Sequence, residues 1–108
     1  MRITAITATS HNIPVRIPLL KEPQQENCIW VRVDTDEGIT GNGFFSGRST
    51  RIAARDLVND VIGPVLVGQD PLDTDAVMRR FAGKFPPRYA IGIMIHAMSG
   101  IDIALWDL

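Results

Sequence analysis

The chain has 108 residues, of which 45% are hydrophobic and 21% are charged, and its formal net charge is −1 at pH 7. This length accommodates one domain at most, and the composition is that of an ordinary globular protein. Because acidic and basic residues are interleaved, the charge pattern predicts neither a nucleic acid nor a membrane as partner.

The N-terminal half carries the patterns of three β-strands. Residues 2–12 are rich in Ile, Thr and Ala, which predicts a first strand, and the proline-punctuated polar stretch 13–27 predicts a loop. Apolar and polar residues alternate over 28–34, a period of two that predicts a second strand. A tight turn at 36–38 then returns the chain as a third strand over 39–45, which completes an antiparallel meander.

The third predicted strand contains Gly41 and Gly43, which indicate a bulge or the close approach of another backbone. A three-stranded sheet needs helices over one face, and a first helix follows, with Ser49 or Thr50 as its predicted cap. Gly63-Pro64 is predicted to end this helix. Its apolar stripe consists of Ala54, Leu57, Val58, Val61 and Ile62.

A second helix is predicted to begin after a cap at Asp73 or Thr74 and to stop at Pro86-Pro87. Its apolar residues recur every four positions at Val77, Phe81 and Phe85. The order of three strands followed by helices predicts an α+β fold.

Residues 91–108 predict a third helix that is apolar on nearly every side and should therefore be covered on more than one side. Asp102 shares the main apolar face, so we expect its carboxylate to be hydrogen-bonded or paired. No capping glycine or basic last turn follows, and we interpret the chain as a larger protein cut within this helix. The main face is formed by Met94, Ile95, Met98, Ile101, Leu105 and Leu108, and the other sides by Ile93, Ala97, Ile103, Ala104 and Trp106.

Three features favour a cytoplasmic protein. Cys28 is the only cysteine, which rules out an internal disulfide and favours a reducing compartment. Residues 1–14 have no continuous apolar core and no clear cleavage site, so they are a poor signal peptide. Asp102 interrupts the most apolar run, which argues against a membrane span.

Motifs for chemistry are scarce. His11 and His96 lie in no ligand-spaced pattern, and the glycines form neither a phosphate-binding loop nor a nucleophile elbow. The acidic clusters at 34–37 and 70–75 fit a hairpin turn and a helix start. The sequence therefore predicts no catalytic residue and no metal ligand within this chain.

Three stretches, in order and with matching spacing, resemble the mandelate racemase and muconate lactonizing branch of the enolase superfamily. HAMSGIDIALWDL resembles the helix that leads into that family's barrel, and VRVDTDEGITGNG resembles its second and third strands. IGPVLVGQDPLDTDAV resembles its first helix and the start of its second. The resemblance covers essentially the whole chain and implies that residues 1–108 are the N-terminal capping domain, with the catalytic barrel absent.

The resemblance also implies where substrate would lie. The family's loops after the first and third strands close over the substrate, and they correspond to Pro18–Asn27 and Phe44–Arg51. Where many relatives read Gly-x-Gly-Glu, this chain has Phe44 in the last position, which leaves the substrate subclass open. Lys21 and Arg48 suit a carboxylate. The predicted substrate-binding residues are Leu20, Lys21, Phe45 and Arg48.

The function implied by the resemblance is that of an Mg²⁺-dependent acid-sugar dehydratase, which removes the proton next to a carboxylate and acts as a homo-oligomer. The Mg²⁺ ligands and the acid/base residues would come from the barrel, so we expect the 108-residue chain to be inactive alone. Two alternatives stay open. One is a racemase or lactonizing enzyme of the same family, and the other is a free-standing binding or oligomerisation module.

Overall fold

The three predicted strands form one antiparallel sheet. The structure is a computed structural model that describes residues 1–88 and 90–108. Strands β1 (Ile3–Val15), β2 (Gln24–Thr35) and β3 (Thr40–Ser46) pair in the order β1-β2-β3. The meander is confirmed, but β1 and β2 pair out to Val15 and Gln24. The loop is therefore shorter than the polar composition suggested, because the backbones of β1 and β2 stay paired over residues whose side chains are exposed.

Helices follow the sheet in the described part of the chain. The first, α1, runs over residues 48–66, α2 spans Thr74–Lys84, and α3 spans Ile93–Asp107. Strands followed by helices make the α+β fold that the sequence predicted, and no β/α barrel occurs in these described residues. The contiguous segments of α1 are a 3₁₀ turn at Arg48–Thr50, α-helix at Arg51–Asp56, π-helix at Leu57–Ile62 and α-helix at Gly63–Leu66.

The core lies between the sheet and the helices. Ile29, Val31 and Val33 of β2 are fully buried, whereas the alternate residues Trp30 and Arg32 are exposed, as the period of two predicted. The helices contribute residues that are buried against this face. These are Ala54, Val58, Ile62 and Leu66 of α1, Val77 and Phe81 of α2, and Ala97, Met98, Ile101, Ala104 and Leu105 of α3.

Helix α1 passes through Gly63-Pro64, so the predicted end at that pair is wrong. The Gly63 amide donates to the carbonyl oxygen of Val58, five residues back, which is the π-helical pattern. Pro64 has no amide to donate, and the wider turn before it lets the chain stay helical to Leu66. The turn also rotates Val61 outward, so Val61 is exposed although it was predicted to lie in the apolar stripe.

The predicted cap of α1 is also wrong. Neither Ser49 nor Thr50 accepts a capping hydrogen bond from the helix, and the Thr50 hydroxyl instead donates to the Gly47 carbonyl oxygen at 3.0 Å. The predicted cap of α2 is confirmed, since Asp73 Oδ1 accepts from the Ala76 amide at 2.9 Å. The second prediction succeeded because Asp73 directly precedes a regular α-helical turn, whereas α1 opens with a 3₁₀ turn.

Helix α3 lies unusually close to β3. A Cβ atom on Gly43 would lie 2.7 Å from the Ala104 amide nitrogen, and one on Gly41 would collide with the Ala104 carbonyl oxygen. The predicted close approach at these glycines is confirmed, while the sheet irregularity lies in β1, between Ile3 and Ala5. Close approach also explains why Ala104, predicted on a side face of the helix, is fully buried.

The free edge of β1 is bonded to groups outside the sheet. Asn59 Oδ1 accepts from the Ala8 amide at 2.7 Å, and Asn59 Nδ2 donates to the Ala8 carbonyl oxygen at 3.0 Å. Farther along the edge, the Ile3 amide donates to the Gln69 carbonyl oxygen at 2.9 Å, and the Ile3 carbonyl oxygen accepts from Gly68 at 2.9 Å. Asn59 lies in the π-helical stretch of α1, so the side-chain amide substitutes for a neighbouring strand.

The outer sides of α3 differ from the prediction. Asp102 is half-buried, and among the described residues it forms no hydrogen bond or ion pair, so the predicted need for a partner is wrong. Trp106 is 74% exposed and Ile103 is also exposed, whereas Leu105 is buried and Leu108 is partly buried. One side of α3 is therefore apolar and open in this chain.

An acid-sensitive hydrogen-bond pair connects β2 to β3. Asp34 Oδ1 accepts from Arg32 Nε at 2.8 Å and from Thr40 Oγ1 at 2.9 Å. These bonds, that from Arg32 foremost, hold the pKa of Asp34 below its ordinary value of 3.8 against a weaker opposing effect of burial. A lowered folded-state pKa stabilises the fold fully above pH 3.8, and the contribution is lost as the pH falls through the folded-state value.

We expect Arg32→Gln to move the pKa of Asp34 upward toward 3.8, because the substitution removes the hydrogen bond that lowers this pKa most. NMR titration of the Asp34 carboxyl carbon measures the change. Arg79→Gln, on the exposed side of α2, removes the same charge far from the pair and should leave the titration of Asp34 unchanged. A pKa of Asp34 that is the same in Arg32→Gln and in the unsubstituted chain would contradict this assignment.

Candidate functional site

Two segments define the candidate site. One is the loop between β1 and β2 at residues 16–23, and the other is residues 47–50, which include the 3₁₀ turn that opens α1 and are called the β3–α1 loop below. Each contains a non-glycine residue in the left-handed region, Leu19 with φ 76° and Arg48 with φ 47°. This conformation costs about 1 kcal/mol or more for a residue with a Cβ, and such strain concentrates at ligand clamps. The two strained residues thus fall in the two loops that were predicted to close over substrate.

The structure separates the four predicted substrate-binding residues into two groups. Leu20 is 51% exposed, and Lys21 and Arg48 are exposed as well, so all three are accessible. Phe45 points into the core, is only 8% exposed, and contacts the backbone face of α3 at Gly100. Alternation along β3 places Phe44 on the opposite face of the sheet. Contact of these residues with substrate stays a prediction.

A first cleft of about 510 Å³ lies between the β3–α1 loop and the start of α3. His96 and Ser99 of α3 line it, three residues apart and thus on one side of the helix. His96 was not predicted as a site residue, because it lies in no ligand-spaced pattern in the sequence. The helical spacing to Ser99 was the one available signal that both side chains share a surface. The remaining lining residues are Phe45, Ser46, Gly47, Arg48, Ser49 and Thr50.

A second cleft of about 470 Å³ lies on the other side of the same loop, and Arg48 and Ser49 line both clefts. The hairpin stem of β1 and β2 forms its second wall, and Arg51 joins the loop residues in lining it. Its remaining lining residues are Asn12, Gln25, Glu26 and Asn27.

Asn27 holds the stem and the loop together. Its Nδ2 donates to Ser10 Oγ and to Asn12 Oδ1, both at 3.0 Å, and its carbonyl oxygen accepts from the Gly47 amide at 3.1 Å. Oδ1 of this buried side chain has no hydrogen-bond partner in the described residues, and it packs against the position where Gly47 would carry a Cβ. This role of Asn27 was not predicted, because the residue was assigned to a polar loop.

The outer face of the sheet carries exposed apolar residues, including Trp30, Phe44 and Ile13. Trp30 Nε1 donates to Asn42 Oδ1 at 3.1 Å across the β2–β3 pair. Cys28 is partly buried beside them, and burial together with the nearby Glu26 raises the pKa of its thiol. A raised pKa keeps the thiol protonated near neutral pH, which is the opposite of what a nucleophile needs.

Metal-binding chemistry was not predicted from the sequence. Within residues 1–88 and 90–108, no group of three or more His, Cys, Asp or Glu side chains is arranged to hold a metal ion. These residues therefore do not fit an Mg²⁺ site, because Mg²⁺ needs clustered oxygen ligands.

His11 lies on the outer face of the sheet, where its Nε2 is 2.8 Å from Thr9 Oγ1. No helix in the described part of the chain is long and apolar enough to cross a membrane.

The described residues thus form a three-stranded meander with helices on one face and two loops at one end. Residues 2–108 match the family described as mandelate racemase / muconate lactonizing enzyme, N-terminal domain. The chain therefore belongs to the mandelate racemase/muconate lactonizing enzyme family, as its N-terminal domain. The resemblance stated from the three sequence stretches is confirmed.

Similar proteins extend this comparison. A D-galactonate dehydratase family member from Streptomyces sp. (strain SPB074) is 33% identical over 111 residues, covering 100% of this chain and 22% of its own. D-xylonate dehydratase from Haloferax volcanii is 39% identical over 83 residues, covering 74% of this chain and 19% of its own. A member of the enolase superfamily from Polaromonas sp. JS666 superposes with a TM-score of 0.83 at 31% identity, over 98% of this chain and 29% of that one. The chain spans about a fifth of the length of these curated relatives.

Proposed function

We propose that this chain is the substrate-capping domain of an Mg²⁺-dependent enolase-superfamily enzyme, an acid-sugar dehydratase of the cytoplasm that works as a homo-oligomer. The observation that carries the proposal is the pair of strained loops, which present Leu20, Lys21 and Arg48 to solvent. Family membership and the dehydratase names of two relatives support the choice of reaction.

In this proposal the residues of the chain bind and enclose the substrate, while catalysis is supplied elsewhere. Lys21 and Arg48 would hold a carboxylate by charge-assisted hydrogen bonds, and Leu20 would cover an apolar part of the substrate. Closing both loops would also exclude water, which strengthens electrostatic interactions in the site. Mg²⁺ would supply stabilisation of the enediolate, from ligands outside the described residues.

We also propose that residues 1–108 are cut within or at the end of the last helix of the domain and that a barrel covers the open apolar side of α3. Exposed Trp106 and Ile103 support this, because an uncovered apolar patch is characteristic of an interface. The chain supplied with Mg²⁺ and a panel of acid sugars should then show no turnover. Activity above background would contradict the proposal.

A chimera tests the capping role directly. This chain would replace the matched segment of the Streptomyces relative, and dehydration of its acid sugar would be measured. We expect Lys21→Gln and Arg48→Gln each to raise KM about tenfold, because each removes one charge-assisted hydrogen bond. Arg79→Gln, an exposed charge on α2 outside both clefts, is the matched control and should leave KM unchanged. Equal KM values in all variants would contradict the assignment.

A racemase or lactonizing activity is the second candidate, because the family that matches this chain is named for both reactions. The same chimera separates the candidates by product. Dehydration forms a keto acid that has lost one molecule of water. Racemisation and cycloisomerisation to a lactone leave the elemental composition of the substrate unchanged and form no such keto group. Phe44, in place of the polar residue of many relatives, is the substitution expected to affect the substrate subclass.

A further inference from the structure

Lys21 and Arg48, the two cations of the proposed substrate site, lie in different loops. Lys21 belongs to the loop between β1 and β2, and Arg48 belongs to the β3–α1 loop. Both cations can hold one ligand only if the two loops keep a fixed separation, because a displacement of about 1 Å weakens such contacts strongly. Hydrogen bonds of Asn27 connect the stem that carries the first loop to the second loop.

The side chain of Asn27 is bonded to β1. Its Nδ2 donates to Ser10 Oγ and to Asn12 Oδ1, both at 3.0 Å, and lies 3.4 Å from the His11 carbonyl oxygen. Asn27 is the partner of Asn12 in the strand register and is only 7% exposed. These bonds fix the end of β2 against the stem whose tip carries Lys21.

The backbone of Asn27 holds the other loop. Its carbonyl oxygen accepts from the Gly47 amide at 3.1 Å. The Gly47 carbonyl oxygen accepts in turn from the amide and the hydroxyl of Thr50, both at 3.0 Å. Gly47 is therefore bonded on both of its sides, directly before Arg48.

The contact between Asn27 and Gly47 is also tight. A Cβ atom on Gly47 would collide with Asn27 Oδ1 and lie 2.9 Å from the Arg51 Cα atom, so only glycine lets the loop lie directly on the asparagine. Asn27 Oδ1 is buried and has no hydrogen-bond partner in the described residues. An unpaired buried acceptor destabilises a fold, so stability alone does not account for this arrangement.

Arg48 depends on its backbone for its direction. Its φ of 47° is costly for a residue with a Cβ and persists only where the surrounding structure holds it. Within residues 1–88 and 90–108, the Arg48 side chain forms neither a hydrogen bond nor an ion pair. The bonded Gly47 immediately before it therefore helps to set where this side chain begins.

We propose that Asn27 is a positioning residue of the site, which holds the β3–α1 loop against the β1–β2 stem and so keeps Arg48 in register with Lys21. Asn27 acts through Gly47 and does not itself touch the substrate. The effect on substrate rests on the proposed function, whereas the link between stem and loop rests on the hydrogen bonds of Asn27.

Amide hydrogen exchange in the 108-residue chain tests the link. In Asn27→Ala we expect the Gly47 amide to exchange about tenfold faster or more, because the loop opens locally when the stem is released. The Val77 amide, which donates to the Asp73 carbonyl oxygen in α2, should stay within about twofold. Asn42→Ala is the matched control, since it removes another asparagine hydrogen bond of the same sheet, that with Trp30, and should leave Gly47 unchanged.

The chimera described above tests the effect on substrate. We expect Asn27→Ala to raise KM about fivefold with kcat changed less than twofold, because it displaces a binding group and not a reacting one. In the Arg48→Gln background the same substitution should raise KM by less than about twofold, since the residue to be positioned is already absent. A merely structural asparagine would multiply KM by the same factor in both backgrounds.

Two results overturn the positioning role: unchanged exchange at Gly47 in Asn27→Ala, and equal KM factors with and without Arg48. Should Asn27→Ala not fold, Asn12→Ala removes one acceptor of the same amide from an exposed position, and its smaller effects should have the same direction. An unsubstituted chimera without activity would contradict the proposed function, while the exchange measurement decides the link by itself.

Discussion

Gly43→Ala is expected to remove a large part of the folding stability of this chain. A Cβ at this position would collide with the Gly100 carbonyl oxygen and lie 2.7 Å from the Ala104 nitrogen. Both are backbone atoms of α3, so no side-chain rotation relieves the overlap and the helix must move off the sheet. We expect a loss of at least about 3 kcal/mol, a large part of the roughly 5–15 kcal/mol typical of a domain. Urea unfolding followed by circular dichroism measures it.

Gly83→Ala is the matched control for this substitution. Gly83 lies in α2, and a Cβ there would meet nothing within 4 Å. The same change should therefore stabilise the chain by about 0.5 kcal/mol, because alanine restricts the unfolded state and favours helix. The free energy of unfolding should therefore fall in Gly43→Ala and rise in Gly83→Ala. A Gly43→Ala variant within about 1 kcal/mol of the parent would show that α3 does not pack on β3 at this distance.

Asn59→Leu is expected to destabilise the chain by about 2–4 kcal/mol, because it leaves the Ala8 amide and carbonyl oxygen without their partners. Ala8 is only 2% exposed, so water cannot replace both hydrogen bonds without opening the contact between β1 and α1. The measurement is again the free energy of unfolding in urea.

Two further variants, one at Asn59 itself and one at the next residue, show whether the loss of stability comes from these hydrogen bonds. Asn59→Asp keeps an acceptor for the Ala8 amide and loses the donor to the Ala8 carbonyl oxygen, so we expect an intermediate loss. Asp60→Leu introduces leucine at the next, exposed position of the same stretch and should change the stability by less than about 0.5 kcal/mol. Equal losses in Asn59→Leu and Asp60→Leu would attribute the effect to the helix rather than to the bonds.

Much of the fold could be predicted because it follows from local patterns. Alternation over residues 28–34 identified the buried face of β2, and Asp73 marked the start of α2 through its own hydrogen bond. The path of α1 could not be predicted, because the π-helical stretch Leu57–Ile62 includes Asn59, whose hydrogen bonds with Ala8 of β1 join segments distant in sequence. A Gly-Pro pair ends most helices, and here the wider turn before Pro64 accommodates it.

The candidate site was less accessible to prediction than the fold. Lys21 and Arg48 were identified from resemblance, and the structure leaves both exposed. Phe45 was expected to face substrate. The alternation along β3 buries Phe45 and exposes Phe44, while Phe45 also lines the first cleft, so its contact with substrate stays a prediction. Arg51 was not singled out, because only the folded chain brings it beside the stem of β1 and β2, where it lines the second cleft. Contacts between segments distant in sequence leave no local signal.

The bonded edges of the sheet have a consequence for behaviour in concentrated solution. Strand addition between molecules needs a row of unpaired backbone groups at the edge of a sheet. On β1, Asn59 and Gly68 already form hydrogen bonds with such groups. On β3, Asp107 Oδ2 accepts from the outward-facing Asn42 amide at 2.9 Å. Pro14, in the outer part of β1, contributes no amide of its own. Amyloid-like polymerisation through either edge is thereby obstructed, although the sheet has only three strands and lacks a barrel's closure.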